Sequence, residues 1–229
     1  MAHLAHYREA HPLPLVITHY VNLSCMALLI LTGFMIHFPY APANMGICRG
    51  VHIFCGIVLL INCIVRIVLA FVVESAPAEG TRQMQKDIRS WIPQPDNRHQ
   101  LIEWVKFYLF IKKDHPLSGK FNPLQKIAYG AIPFLIILMA YTGFCLWVPT
   151  SSLPLFQAGT DLVGGIMSMR IIHYIMMFVF ILFTMIHVYM SVIEGGKHLL
   201  ALMFARKQHG GMTYDIHTHD VAGEDYNVR

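Results

Sequence analysis

The segment 171–190 reads IIHYIMMFVFILFTMIHVYM, a run without charged side chains that carries two histidines, His173 and His187. A helix needs about 20 consecutive apolar residues to cross a hydrocarbon core of about 30 Å. This segment has that length and composition, so it predicts a membrane-spanning helix. Ionisable side chains are rare inside such helices and usually have a function. The two histidines are therefore the first candidate site residues.

The composition of the whole chain also indicates a membrane protein. Of its 229 residues, 55% are hydrophobic and 13% are charged, whereas a typical soluble domain has about 25% charged residues. We therefore predict an all-α integral membrane protein, a four-helix bundle in which 1–200 form one membrane domain and 201–229 a polar cytoplasmic tail. The four predicted spans are about 15–36, 51–73, 127–148 and 171–193.

The positive charges predict the orientation of the chain, because cytoplasmic loops carry an excess of Lys and Arg. Of the 17 Lys and Arg residues, Arg49 and Arg170 lie alone in the two short loops, and Arg66 lies near the end of the second span. The other fourteen fall in the N-terminal arm, in the loop 74–126 and after the fourth span. We predict a multi-pass protein of the cell inner (cytoplasmic) membrane with both termini and the long loop cytoplasmic.

The long loop contains a candidate interfacial segment. The stretch HQLIEWVKFYLFIKK at 99–113 mixes aromatic, aliphatic and basic residues. It is too short and too charged to span the bilayer. We therefore predict an amphipathic helix that lies in the membrane interface.

Several classes of protein are disfavoured by missing motifs. The five cysteines form no CxxC or CxxCH motif, which argues against a zinc ribbon and against covalent c-type haem. An HExxH zinc protease motif is missing as well. The N-terminus lacks the pattern of a signal peptide, so the first span is expected to stay in the mature protein. The remaining histidines are expected to be interfacial or solvated; they include His37 and the tail histidines His209, His217 and His219, for which metal binding is the disfavoured alternative.

Two further spans carry histidines at depths that match those of His173 and His187. Fourteen residues bring these two histidines to within about 40° of one helix face and separate them by about 21 Å along the axis. In the predicted orientation, His19 lies near the inner start of the first span and His52 near the outer start of the second. His52 therefore pairs with His173 on the outer side, and His19 pairs with His187 on the inner side.

These two histidine pairs predict two bis-histidine haems. Neutral imidazoles that face each other across a helix bundle are suitable axial ligands for haem iron. Zinc is the competing metal, but it usually takes four ligands in one place. A single histidine is as well explained by a hydrogen bond to a neighbouring helix. Four histidines on three helices at two matching depths favour haem and electron transfer across the membrane.

Residues near the outer pair also suit a haem. Arg49 and Arg170 each precede an outer histidine by three residues, in RGVH and RIIH. A guanidinium one turn from the ligand can bind a haem propionate, although both arginines also suit a role as interfacial anchors. Three glycines lie where a side chain would crowd a flat macrocycle, but small residues also serve simple helix packing. They are Gly33, Gly56 and Gly143.

With these residues the chain resembles the dihaem b-type cytochrome subunit of membrane-bound nickel–iron hydrogenases. The related gamma subunit of respiratory formate dehydrogenase is nearly as similar. The resemblance covers about 13–193 and implies the same four haem ligands. Its most specific elements are RxxH opening the second span, TGF ending the first and third, and H-x13-HVYM in the fourth, together with WVKFYLF and GKFNPLQK before the third span.

The resemblance implies cofactors and partners beyond the haem ligands. The polar pair of the family's quinone site falls on Asn122 and Gln125 in KFNPLQK. The alternative is that Asn122 and Pro123 only cap the third helix. The family implies two haem b groups, menaquinone or ubiquinone as electron acceptor, and an iron–sulfur small subunit and a catalytic large subunit as partners. Contact with membrane lipid is expected, and nucleic acid is not.

The sequence thus predicts an electron-transfer subunit with no hydrogen or formate chemistry of its own. The resemblance implies that electrons pass from an outer iron–sulfur subunit through two haems to a quinone near the cytoplasmic side. One alternative is the equivalent subunit of a formate dehydrogenase or thiosulfate reductase complex, particularly since the outer loop 149–170 departs from the family. Another is a cytochrome that oxidises quinol. A haem-free anchor or proton-relaying transporter is disfavoured because no Asp, Glu or Lys lies in the four spans.

Overall fold

The computed structural model describes residues 3–6, 11–39, 44–75, 85–93, 99–113, 120–205, 211–214 and 221–224. These residues are mostly helical, as the sequence predicts. The helices are α1 Leu13–His37, α2 Met45–Val72, α3 Ile88–Trp91, α4 Leu101–Tyr108, α5 Pro123–Leu146, α6 Val148–Ser151, α7 Pro154–Leu162 and α8 Ile166–Ala205. The short strands are β1 His3–His6, β2 Glu74–Ser75, β3 Gln85–Lys86, β4 Gly211–Tyr214 and β5 Val221–Glu224.

Four helices are long and apolar enough to cross a membrane: α1, α2, α5 and Ile166–Ile193 of α8. Each begins before its predicted span, because an apolar run marks only the part of a helix that suits hydrocarbon. At the start of α2, for example, Asn44 Oδ1 accepts hydrogen bonds from the backbone N–H groups of Gly46 and Ile47, at 2.9 and 3.3 Å. This cap sets the helix start. The predicted domain boundary at residue 200 falls inside α8.

The strands are a difference from the predicted all-α fold. β1, β4 and β5 form an antiparallel sheet in the order β1-β4-β5, and β2 pairs with β3. In the larger sheet His3 lies opposite Tyr214, so segments from the two ends of the sequence pair. Strands of two to four residues are too short to show a recognisable alternation of apolar and polar side chains.

The predicted interfacial helix is shorter than expected. α4 ends at Tyr108, and Phe110 has a left-handed backbone with φ of 58°, a conformation that a helix cannot continue. Two aromatic residues of α4 pack inside the protein: Trp104 and Tyr108 are buried. The backbone carbonyl of Tyr108 accepts a hydrogen bond of 2.6 Å from Tyr189 Oη. A location in the membrane interface stays a prediction.

The chain divides into two compact units. One comprises 1–17, 66–131 and 188–229, and the other comprises 18–65 and 132–187. The second unit contains segments of all four spanning helices and the four predicted haem histidines.

The first unit is organised around a buried carboxylate, Asp87. Asp87 accepts hydrogen bonds from Arg66 Nη2 at 2.7 Å, Ser75 Oγ at 2.9 Å and Trp91 Nε1 at 3.0 Å, and forms an ion pair with Lys120. Burial alone would raise the pKa of Asp87, but the charges of Lys120 and Arg66 outweigh that effect and lower it. One side chain thus joins α2, α3, the β2–β3 hairpin and the segment before α5.

We expect replacement of Asp87 by alanine to destabilise the protein by about 3–5 kcal/mol, because it leaves two buried cations without a counter-charge. Thermal unfolding of the purified protein in detergent measures this effect. The matched control is Glu74→Ala, which removes an exposed carboxylate 3.8 Å from Lys86 and should cost less than about 1 kcal/mol. Equal effects of the two substitutions would contradict the central role of Asp87.

The buried carboxylate of Asp87 also predicts that the stability of the folded protein depends on pH. Because the folded-state pKa of Asp87 is lowered, its contribution to stability is present above the unfolded-state pKa of about 3.9. That contribution is lost as the pH falls from there through the folded-state pKa. Asp87→Ala should therefore show a smaller acid-induced loss of stability than the wild type.

Candidate haem-binding site

The second unit brings the four predicted ligands together in two pairs. We call His52 and His173 the outer pair and His19 and His187 the inner pair, after the orientation predicted from the sequence. The ring centres of the outer pair are 6.3 Å apart, and the ring planes are inclined by 64°. In the inner pair the corresponding values are 6.2 Å and 43°. Each pair has one histidine on α8, and the helix rise places these two histidines, His173 and His187, about 21 Å apart along the axis.

The separation within each pair fits one metal ion between two imidazoles. A histidine nitrogen binds a metal at about 2 Å, and the ring centre lies roughly 1 Å behind that nitrogen, so ligands on opposite sides of one metal have centres about 6 Å apart. Among the described residues, no group of three or more His, Cys, Asp or Glu side chains is arranged to hold a metal ion. The geometry therefore suits a cofactor that supplies the other ligands itself, as a porphyrin does.

A cavity of about 660 Å³ adjoins the outer pair, which is within the usual range of about 300–1,000 Å³ for cofactor sites. Its wall contains both outer histidines and the two arginines predicted to bind propionates, Arg49 and Arg170. It also contains His37, whose ring stacks on that of Tyr174 with centres 3.9 Å apart. From the sequence, His37 was expected to be interfacial and without a connection to the outer pair.

Two glycines keep the space beside the outer pair open. A Cβ atom on Gly33 would lie 3.5 Å from His52 Cε1 and 3.3 Å from the sulfur of Met177, and one on Gly143 would lie 3.4 Å from His173 Cε1. Any larger side chain would meet the imidazoles or enter the cavity. Gly56 also lines the cavity, but its nearest neighbour would be 4.0 Å away, so its role is less specific.

Two threonines that the sequence analysis missed contact the outer pair. Thr32 Oγ1 on α1 lies 2.9 Å from His52 Nδ1, and Thr142 Oγ1 on α5 lies 2.8 Å from His173 Nδ1. Both belong to the TGF motifs that end the two helices. The repeated TGF tripeptide was the sequence signal that could have identified these threonines, but on its own it indicated only the family resemblance.

The inner pair has different surroundings. Within the described part of the chain, neither the His19 nor the His187 imidazole has a hydrogen bond like those of the outer pair. The ring of Phe183 stacks beside that of His187, with centres 5.9 Å apart. Near His19, Asn62 Nδ2 on α2 donates to the Thr18 carbonyl at 2.8 Å and to Asn22 Oδ1 at 2.6 Å. These two hydrogen bonds join α1 to α2 beside the inner pair.

Comparison with known proteins agrees with this geometry. Residues 10–206 match the model of a family described as prokaryotic cytochrome b561. The protein belongs to this family. Its cofactor is therefore a b-type haem, and with four spanning helices it is a multi-pass membrane cytochrome.

Similar proteins confirm the resemblance inferred from the sequence. The chain is 24% identical over 197 residues to the "Probable Ni/Fe-hydrogenase B-type cytochrome subunit" of Bradyrhizobium diazoefficiens, covering 79% of this chain and 76% of that protein. It is 25% identical over 196 residues to the "Probable Ni/Fe-hydrogenase 1 B-type cytochrome subunit" of Escherichia coli K12, covering 79% and 80%. Similarity extends to the "Putative cytochrome YdhU" of the same strain, at 26% over 182 residues, covering 75% and 63%.

The predicted quinone residues of the cytochrome lie in the first unit and cap α5. Asn122 Oδ1 accepts the Gln125 backbone N–H at 2.9 Å, and Gln125 Oε1 accepts the Asn122 backbone N–H at 2.9 Å. This reciprocal pair is a capping box. Asn122 is fully buried, and its Nδ2 donates to Tyr108 Oη at 2.8 Å. Both side chains therefore have a structural role. The tail histidines lie outside the described residues.

We expect Gly143→Val to lower the amount of haem bound per polypeptide, because the branched side chain meets His173 and narrows the cavity. The ratio of haem absorbance to protein in the purified cytochrome measures this. The matched control is Gly130→Val in the same helix, where an added Cβ would have no neighbour within 4 Å. If both variants retain the wild-type haem content, Gly143 does not face the haem.

Proposed function

We propose that this cytochrome is the membrane-anchoring electron-transfer subunit of a respiratory hydrogenase complex. In this proposal the outer and inner histidine pairs each ligate one haem b. The observation that carries it is the separation of 6.3 and 6.2 Å between the ring centres of the two pairs. Because the pairs stand about 21 Å apart along α8, two haems at these positions span most of the hydrocarbon core.

The residues around the outer pair support a haem in that position. A bound haem supplies one-electron chemistry, and the protein tunes it through its axial ligands and the polarity of the pocket. A haem b has two propionate groups, and Arg49 and Arg170 provide two guanidinium groups in the wall of the same cavity. Charge-assisted hydrogen bonds to these carboxylates would fix the orientation of the ring. The apolar helices exclude water from the remainder of its surface.

The partners and the acceptor follow from the family resemblance. Electrons enter from an iron–sulfur small subunit on the outer face, and a catalytic large subunit carries out the hydrogen chemistry. A quinone near the cytoplasmic side, menaquinone or ubiquinone, accepts the electrons, with Asn122 and Gln125 as its proposed polar contacts. The names of the hydrogenase cytochrome subunits that this chain resembles support the partner.

A second candidate keeps the haems and changes the partner. One similar protein, the "Putative cytochrome YdhU", has a name that mentions no hydrogenase. The family resemblance supplies this second candidate, the equivalent subunit of a formate dehydrogenase or thiosulfate reductase complex. Isolation of the tagged cytochrome from its native membrane, followed by mass spectrometry, distinguishes the two: the accompanying catalytic subunit contains either nickel and iron or a molybdopterin.

The proposal predicts two haem b groups per polypeptide, measured as the pyridine haemochrome against protein concentration. His173→Ala and His187→Ala should each leave one haem, because each removes one axial ligand from a different pair. The control is His37→Ala, which removes a histidine of the same cavity that belongs to neither pair. An unchanged haem spectrum in His187→Ala would favour a haem-free role for the inner pair.

The proposed quinone contact is tested by Asn122→Asp, which keeps an oxygen for the helix cap and removes the amide donor. We expect reoxidation of the reduced haem by a water-soluble quinone to slow about tenfold, which corresponds to about 1.4 kcal/mol. Haem content should stay near the wild-type value, whereas the buried carboxylate is expected to lower the melting temperature. The control is Asn44→Asp, which likewise keeps the oxygen that caps a helix, here α2, and is not a proposed quinone contact. Wild-type reoxidation in Asn122→Asp would leave Asn122 with the structural role alone.

A further inference from the structure

The strongest unexplained feature is the pair of threonine hydroxyls that contact the outer histidines. Thr32 Oγ1 and Thr142 Oγ1 lie 2.9 and 2.8 Å from the Nδ1 atoms of His52 and His173. The two threonines are 6% and 3% exposed. They lie on different helices, and each is followed by the glycine that leaves room for the same imidazole. The same arrangement therefore occurs twice, once for each outer ligand.

The direction of these hydrogen bonds follows from the other contacts of each hydroxyl. A threonine hydroxyl has one hydrogen to donate and two lone pairs to accept with. Thr32 donates its hydrogen to the Leu28 carbonyl at 2.6 Å, and Thr142 donates to the Met139 carbonyl at 2.8 Å. With that hydrogen used, each oxygen contacts its imidazole as an acceptor. The imidazole Nδ1 is therefore the donor and carries the hydrogen.

This direction determines which tautomer each outer histidine adopts. A neutral imidazole with its hydrogen on Nδ1 has its lone pair on Nε2, and that nitrogen can then bind a metal. An acceptor at Nδ1 also makes the imidazole a stronger electron donor to the metal and fixes the orientation of the ring. Stronger donation stabilises the oxidised form of the iron, so it lowers the reduction potential.

We infer that Thr32 and Thr142 are positioning residues for the outer haem, which select the metal-binding tautomer of its two ligands and lower its reduction potential. This inference rests on the proposed ligation of a haem by His52 and His173. The inner ligands, His19 and His187, have no comparable hydrogen bond to a described residue. The effect is therefore confined to one of the two haems, and the other serves as an internal reference.

The test is a potentiometric titration of the purified holo-cytochrome, followed by the α-band absorbance of its haems. Loss of one component in His173→Ala identifies the outer haem. We expect Thr32→Val and Thr142→Val to shift the outer component to a more positive potential and to leave the inner component in place. Thr32→Ser and Thr142→Ser keep the hydroxyl and should restore the wild-type potential.

The matched control is Thr184→Val on α8. Thr184 donates to the carbonyl of Phe180 at 2.8 Å, as the other two threonines do within their own helices, but within the described residues it has no hydrogen bond to a histidine. Because its hydroxyl is not bonded to an imidazole, its replacement should shift neither haem potential. Wild-type potentials in both Thr→Val variants of the outer pair, or an equal shift in Thr184→Val, would overturn the inference.

Haem binding provides a second readout. If a valine variant loses the outer haem and the serine variant regains it, the hydroxyl is required for ligation, as expected. Loss of the haem in both overturns the inference, because the methyl group then matters rather than the hydrogen bond. Failure of the proposed haem ligation is distinguishable from failure of this inference. If His52 and His173 do not ligate a haem, the His173→Ala variant has the same haem content as the wild type, whatever the threonine variants do.

Discussion

The site depends on the cost of placing imidazoles inside apolar helices. A polar group without a hydrogen-bond partner in such surroundings is unfavourable by several kcal/mol, and this protein places four there. The outer imidazoles each have one nitrogen bonded to a threonine, which leaves one nitrogen per ring to be satisfied. The facing rings, with centres about 6 Å apart, would satisfy those nitrogens through a shared metal. Under the proposed ligation, haem binding and the stability of the helices around the pairs are therefore coupled.

This requirement assigns a different role to each spanning helix. α8 carries one histidine of each pair, α2 carries the second histidine of the outer pair and α1 carries that of the inner pair. α5 contains no histidine, yet its Thr142 and Gly143 lie against the outer histidine on α8 in the way that Thr32 and Gly33 of α1 lie against the histidine on α2. The ends of α1 and α5 thus make matching contacts, each through the Thr and Gly of its TGF tripeptide.

The spanning helices and their histidines could be predicted because both are visible within a single apolar run. The four spans follow from length and composition, and the histidines stand out as ionisable residues within those runs. The threonines were missed, because a threonine in a spanning helix can satisfy itself with a carbonyl of its own helix, and its lateral contact depends on packing. Asp87 was missed for a related reason: in a polar loop it resembles any solvated acid, and only the fold surrounds it with Arg66 and Lys120. The pairing of β1 with β4 joins opposite ends of the sequence, which local patterns do not encode.

The difference between the two histidine pairs bears on the direction of electron flow. Electrons move spontaneously toward the haem with the higher potential, and identical bis-histidine haems would give no preference from their ligands alone. Threonine acceptors on the outer pair lower the potential of a haem held there, and the inner pair has no such acceptors among the described residues. With two haems at the proposed positions, transfer from the outer to the inner haem would be downhill, which is the direction needed to reduce a quinone on the predicted cytoplasmic side. In a quinol-oxidising cytochrome with the same proposed haems, these hydrogen bonds would oppose the flow of electrons, so under the proposed ligation they support quinone reduction rather than the reverse reaction.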